Sequence, residues 1–519
     1  MKYPPAMQRL GTPKPQLVSH HSDYTAGETV GGLSVLFTVL CIVDLFGVFP
    51  VIALPKSVIA CGYYGIPLVL AVFGLQIYTS MLLGRCWILA RQIAPDIREK
   101  NRYPYAAVAE LAFGQHARRL VTFLIDATVF SAGVPNFIVA SQSMQLFWWK
   151  ITGGEVGISY CVWMIIIGLL LCPVMWLGSP KDMKPLAVTS VGIVSTVALC
   201  VWTCILLDDS SPPSAGMLDQ PQLKDLVIAY GIMAFQTGAR YINASVCASC
   251  WTTSGIIAFQ FDIHPMLLTI QVDMKDSRKI NRAVLCGFAF TGALFAITSV
   301  LAAYRYGSAV ETNILQGIPP SIALFVVALL VTLQLCLSSA VGNSALFQHV
   351  EDLLHIPRDF SCQRCLLRSS IVALAVFLGE SVPSFDVVMG LVGSTLTGPL
   401  MFIFPPLFFL KLCHAKSNLK DLKEQNGDVV PLIIHNALET QYKTFVETHD
   451  ESYSKVEQYK IKWYDIFLAI LVMSTGMVAT VVSSYSSWSD AVSSATFSTP
   501  CLYNATAAAR SFLEVTTKI

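Results

Sequence analysis

Residues 33–55 read LSVLFTVLCIVDLFGVFPVIALP, and the class of fold is decided there. The stretch is apolar over about 20 residues, which at 1.5 Å per helical residue matches the ~30 Å hydrocarbon core of a bilayer. It is also interrupted, because Asp44, Gly47, Pro50 and Pro55 fall inside it. Proline removes a backbone donor and glycine loosens the chain, so a membrane helix here is expected to break and expose carbonyls and amides. Backbone of that kind at bilayer depth is tolerated only against protein or a cavity, where it can hold ions and zwitterions.

The rest of the chain has the same character. Of its 519 residues, 54% are hydrophobic and 13% charged, and the mean hydropathy is +0.60. These values exclude an ordinary soluble domain, and the long solid apolar runs favour helices over a barrel. The expected fold is all-α and polytopic, with about eleven transmembrane helices. They run near 33–54, 65–89, 120–147, 156–177, 185–207, a disturbed sixth region 226–272, then 283–304, 322–341, a short ninth at 369–378, 385–412 and 465–482. With residues 1–31 as a cytosolic tail, Arg and Lys concentrate on one set of loops, among them Arg98, Lys100, Arg118, Lys181, Lys275, Arg278, Arg364 and Lys416. The other loops carry chiefly Lys150, Lys224 and Arg305, together with Asp208, Asp209 and Asp219. The positive-inside rule supports that orientation.

The core then spans 32–412, a polar cytosolic loop 413–462, the eleventh helix 463–485 and an extracytosolic tail 486–519. Asn504 in that tail opens a glycosylation sequon. The fifteen cysteines lie mostly singly in apolar runs, where Cys acts as a small hydrophobe, and no disulfide framework is read from them. Cys362 and Cys365 have no second pair nearby, so neither a metal site nor palmitoylation is inferred.

A second break is expected in the sixth helix, where Phe259-Gln260-Phe261-Asp262-Ile263-His264-Pro265 sets an acid, an imidazole and a proline in one apolar stretch. Candidate substrate-binding residues are Gly47, Val48, Phe49, Pro50 and Val51 in helix one, facing Phe259, Gln260, Phe261 and Asp262 in helix six, with helices three and eight closing the pocket. Candidate ion-coupling residues are Asp44, Asp126, His264, Ser338 and Ser339. A charge at the centre of a membrane helix costs ~2.5–3.5 kcal/mol on insertion scales and is seldom kept without a role. Single prolines kink many membrane helices without touching a ligand, and membrane serines often bond their own backbone; two breaks five helices apart are what lift the reading above that background. No nucleophile–base pair, phosphate loop, metal spacing or repeated pore loop is present. An enzyme, a channel and a nucleic-acid binder are not expected; the partners are the lipid bilayer and a small solute, and no oligomeric state is read.

These residues bring the chain to a family. Ala53-Leu54-Pro55 with Gly62-Tyr63-Tyr64-Gly65, the loop Tyr103-Pro104-Tyr105 through Ala112-Phe113-Gly114, Tyr306-Gly307 before Asn313-Ile314-Leu315, and Val382-Pro383-Ser384-Phe385, Leu391-Val392-Gly393-Ser394 and Pro405-Pro406-Leu407 stand in one order. In this the chain resembles the amino acid/auxin permease family, including its vesicular inhibitory amino acid transporter branch. The resemblance implies two inverted five-helix repeats with an eleventh helix appended. It also implies alternating-access transport of neutral amino acids or related small zwitterions, coupled to protons or sodium and needing no organic cofactor. The membrane implied is the plasma membrane or an endosomal, lysosomal or vesicular one.

Two departures from that family stand out. Asp44 occupies the place where many members have Asn, which favours proton over sodium coupling, and Val48-Phe49-Pro50 stands where many have Gly-x-Gly. In addition, Tyr230-Gly231-Ile232-Met233-Ala234-Phe235-Gln236 recurs as Ser254-Gly255-Ile256-Ile257-Ala258-Phe259-Gln260, twenty-four residues later. The family pattern has one copy, so residues 237–260 read as an insertion, from an alternative exon or a gene-model artefact. Two alternatives to transport stay open: an amino-acid sensor without net flux, and a transport-impaired isoform.

Overall fold

Gly47 and Pro50 break the first helix as expected. In the computed structural model, which describes residues 32–62, 65–94, 97, 103–152, 158, 160–177, 183–208, 253–356, 360–381, 385–426 and 463–494, α1 (Val35–Phe46) starts at a Ser34 cap and ends at Gly47, whose φ is +61°. The chain restarts as α2 (Phe49–Ile52) and α3 (Leu54–Ala60), with Pro50 and Pro55 in their opening turns. Proline fits there because its missing N–H would have no helical partner anyway. Then α4 (Gly65–Ile93) packs so tightly on α3 that a Cβ on Gly65 would lie 2.3 Å from the Val58 carbonyl oxygen.

The stretch from Tyr103 to Gly114, read as a loop, is a buried helix, α5 (Pro104–Phe113), started by its proline and ended by Gly114 at φ +84°. The following spans are α6 (Gln115–Ile151), α7 (Tyr160–Leu177) and α8 (Met183–Leu206). The sixth span is broken as expected, into α9 (253–260) and α10 (His264–Asp273), with Phe261, Asp262 and Ile263 outside both. Next come α11 (Ile280–Tyr306), the short α12 (Ile314–Gly317), α13 (Ile322–Leu353), α14 (Cys362–Ser381) and α15 (Phe385–Val392). Two π-helical turns, Gly393–Thr397 and Pro399–Ile403, lead into α16 (Phe404–Asn426), and α17 (Trp463–Ser494) closes the described chain.

Among the described residues, nine helices are long and apolar enough to cross a membrane, and Val35–Phe46 and Tyr160–Trp176 are shorter apolar helices. The protein is an all-α, multi-pass integral membrane protein. Its outward faces carry exposed Leu70, Leu170, Leu199, Val300 and Val478, a belt that only lipid covers without penalty.

Three expectations need correction. The ninth span is a full 20 residues because its two arginines are neutralised from another helix: Arg364 Nε and Arg368 Nε reach Glu351 Oε1 at 3.1 and 2.6 Å. Arg368 also donates to the Met175 carbonyl, which ties α7, α13 and α14 together at their Arg- and Lys-rich end. The polar loop assigned from Cys413 is helical as far as Asn426. Cys161 is disulfide-bonded, with its partner outside the described residues. The eleventh helix runs on to Ser494, taking in the first residues of the expected tail 486–519; residues 1–31, residues 495–519 with Asn504, and the first copy of the heptapeptide lie outside the described residues.

Glycine sets the closest helix approaches. A Cβ on Gly393 would sit 2.0 Å from the Gly255 carbonyl oxygen, so α9 and the first π turn touch backbone to backbone. Packing of small residues of this kind replaces the hydrophobic drive that helices lack in lipid. Inside the bundle, Phe46, Phe73, Phe261 and Phe288 meet edge to face, with ring centroids 4.9 to 5.2 Å apart. Such pairs contribute ~0.5–1.5 kcal/mol each beyond area burial, and they hold the two breaks against one another.

Candidate functional site

The two broken helices face each other across a cavity of about 120 Å³. Gln260, the last helical residue of α9, donates from Nε2 to the Phe46 carbonyl oxygen at 2.7 Å. That carbonyl is one of those released where α1 stops, so a side chain of one break satisfies the backbone of the other. The end of α9 is also met from α4: Gln76 Nε2 lies 3.2 Å from the Ala258 oxygen and 3.4 Å from the Ile257 oxygen, which also accepts the Phe261 N–H.

Of the predicted substrate-binding residues, Gly47, Phe49, Phe259, Gln260 and Asp262 line the cavity. Val48, Pro50, Val51 and Phe261 are buried among neighbouring side chains instead, Phe261 within the phenylalanine cluster. Helix three contributes Thr128, Gly133 and Asn136 to the wall, and helix eight contributes Gln334, Ser338, Ser339 and Asn343. Asn136 Nδ2 donates to Ser339 Oγ at 3.0 Å, joining these helices across the cavity.

Asp44 lies one turn before the break, lines the cavity and is 5% exposed. Gln334, fully buried, donates from Nε2 to Ser190 Oγ at 3.3 Å. It also closes on Gly47, where an added Cβ would lie 3.0 Å from its Nε2. The positive φ favours glycine at position 47, and the Gln334 amide beside it leaves little room for a side chain.

Asp262 and His264 form a second polar group. Asp262 Oδ1 accepts from the His264 backbone N–H at 3.0 Å and faces its Nδ1 at 3.2 Å. The other ring nitrogen, Nε2, lies 3.0 and 3.3 Å from the hydroxyl oxygens of Thr79 and Ser80. The fully buried imidazole thus sits behind the cavity, between a carboxylate and two hydroxyls.

Asp126 is placed elsewhere. It bonds His349 Nδ1, with the two side chains 24% and 22% exposed, and the Tyr103 ring edge packs on the imidazole at 5.1 Å between centroids. Sequence reasoning missed His349, Gln76, Gln334, Asn136 and Asn343. The signal available was an uncharged polar side chain inside an apolar span, which is weak because most such groups only bond backbone.

A profile of the transmembrane amino acid transporter protein family matches residues 34–427. Amino acid transporter AVT1D of Arabidopsis thaliana is 24% identical over 413 residues, covering 78% of this chain and 66% of that protein. The chain therefore spans about two thirds of that relative's length. Amino acid transporter AVT1H of the same plant is 22% identical over 373 residues, 70% of this chain and 78% of that one. Sodium-coupled neutral amino acid transporter 4 of Pongo abelii is 27% identical over 169 residues, 31% of each chain. The profile takes in every helix that walls the cavity, and the chain belongs to the transmembrane amino acid transporter protein family, which is a family of carriers and not of enzymes.

Proposed function

We propose that the protein is a secondary active carrier that moves amino acids or related small zwitterions across its membrane by alternating access. The observation that carries the reading is the bond from Gln260 to the Phe46 carbonyl, which makes one cavity of two broken helices. Irregular backbone at mid-span offers both carbonyls and amides, the complement of an ammonium and a carboxylate on one small molecule. That cargo is supported by the relatives AVT1D and AVT1H, both named amino acid transporters.

The two halves of such a carrier are the inverted five-helix repeats that the family resemblance implies, with the breaks at corresponding places. Coupling is assigned to a proton or sodium ion at Asp44, with Asp262 and His264 as a second proton-holding pair, and the acid at position 44 favours the proton. Uptake of radiolabelled alanine, glycine and glutamine into proteoliposomes, with and without an inward proton gradient, tests this. Gradient-driven accumulation is expected. Saturable binding with no uptake under any gradient would make the chain a sensor and overturn the carrier reading.

A further inference from the structure

Three acceptor atoms on the cavity wall make no hydrogen bond, Asp44 Oδ1, Asp262 Oδ2 and Gln334 Oε1, and the hydroxyls beside the two carboxyl groups among the described residues, Ser190 and Thr397, are uncharged. All are deeply buried, Gln334 being 0% and Asp44 5% exposed, and the Asp262 side chain 4%. No Lys or Arg lines the cavity among the described residues, and the nearest imidazole, His264, is engaged with the other oxygen of Asp262. A buried carboxylate without a counter-charge costs several kcal/mol, and an unmet buried acceptor adds to it. The wall therefore calls for cations.

The acceptors fall into two groups on different helices. Asp44 and Gln334 stand on α1 and α13, Gln334 being held by Ser190 of α8, while Asp262 belongs to the break between α9 and α10. We propose that the loaded cavity holds two positive charges, and that a dibasic amino acid brings both itself and so crosses without the separate coupling cation that a neutral amino acid needs. The proposal rests on the carrier reading above and narrows it to the charge of the cargo. The α-ammonium of any amino acid answers one group. With alanine, the other group is left to a proton or a sodium ion. With lysine, the side-chain ammonium, which has three donors, replaces that ion.

The test is uptake of radiolabelled lysine and alanine by the full chain in proteoliposomes, in sodium-free buffer without a gradient, with a proton gradient, and with a sodium gradient. Alanine uptake is expected to rise about tenfold or more with one of the gradients, and lysine uptake to change less than about twofold. Asp44→Asn is expected to lower lysine uptake about tenfold, with partial recovery in Asp44→Glu; if Asp44→Asn does not fold, Gln334→Leu gives the same reading. Alanine transport with lysine excluded, or with lysine equally gradient-dependent, overturns the proposal and leaves the carrier reading standing. If neither amino acid moves, the carrier reading fails, and thermal stabilisation of the purified chain decides the rest. Stabilisation by lysine alone, with alanine acting only in added sodium or at lower pH, supports the two-cation cavity; an equal response to both, or none, overturns it.

Discussion

The two helix breaks are built differently. Around the sixth-helix break, Asp262 is gripped by the backbone and ring of His264 two residues on, and the Ala258 carbonyl at the end of α9 is met by Gln76. A backbone contact with Gly393 fixes α9 from behind. The first-helix break has no such local support: its Phe46 carbonyl depends on Gln260 from helix six, and Asp44 keeps an oxygen without a partner. The backbone of the sixth-helix break is organised before any ligand arrives, with only Asp262 Oδ2 left to what enters the cavity, whereas the first-helix break is completed by its neighbours as well as by a ligand. Preorganised groups supply geometry, whereas unmet groups supply the differential affinity that lets a ligand shift a conformational equilibrium.

Substitutions can break or sharpen that contrast. The largest effect is expected from Gly393→Leu, because even a Cβ would lie 2.0 Å from the Gly255 carbonyl; no monodisperse protein should survive size-exclusion chromatography. Arg368→Met, on another part of the bundle, leaves Glu351 to Arg364 alone and the Met175 carbonyl without its donor and should cost about 1–3 kcal/mol of stability. Its thermal midpoint should fall with the alanine KM unchanged, which separates bundle stability from site chemistry. Gln260→Leu orphans the Phe46 carbonyl at a cost of about 1–3 kcal/mol, and saturating amino acid should restore part of the lost thermal midpoint. The parallel Gln76→Leu should cost a similar amount with no such recovery. Recovery in both variants would erase the distinction between the breaks.

The smallest effect is expected from deleting Thr237–Gln260. Joining Gln236 to Phe261 keeps a copy of the heptapeptide, with Gly231 in place of Gly255 and Gln236 in place of Gln260. The groups that touch Gly393 and the Phe46 carbonyl are thereby preserved, while Tyr230 takes the place of buried Ser254 and loses its bond to Ser483, and the net loss should be about 1 kcal/mol, measured by thermal denaturation. A large loss would show that the second copy is not interchangeable with the first, and that residues 237–260 are integral to the fold.

Much of the fold was legible because its signals are local. Apolar runs of bilayer length mark the spans, and Asp44, Gly47, Pro50, Asp262 and Pro265 mark the two breaks within them. What escaped depends on partners far along the chain. Arg364 and Arg368 shorten the ninth span on paper because Glu351, on another helix, cannot be seen to neutralise them. The helix Pro104–Phe113 did carry a signal, proline at its start and glycine after its end, the usual asymmetry of helix termini. Within the site, the breaks were found and their clamps were not. Gln76 and Gln260 bond across 181 and 214 residues of sequence, and no periodicity pairs them. Asp126, named as a coupling candidate because it is an acid in an apolar span, lies outside the cavity wall and pairs with His349.

The most direct test of the central claim is an experimental structure of the purified chain determined with bound lysine or alanine. The account predicts ligand density between Gly47 and Gln260, with an ammonium in hydrogen-bonding reach of Asp44 or Asp262. Density outside the space between the two breaks, or a ligand whose ammonium contacts neither carboxylate, would contradict it.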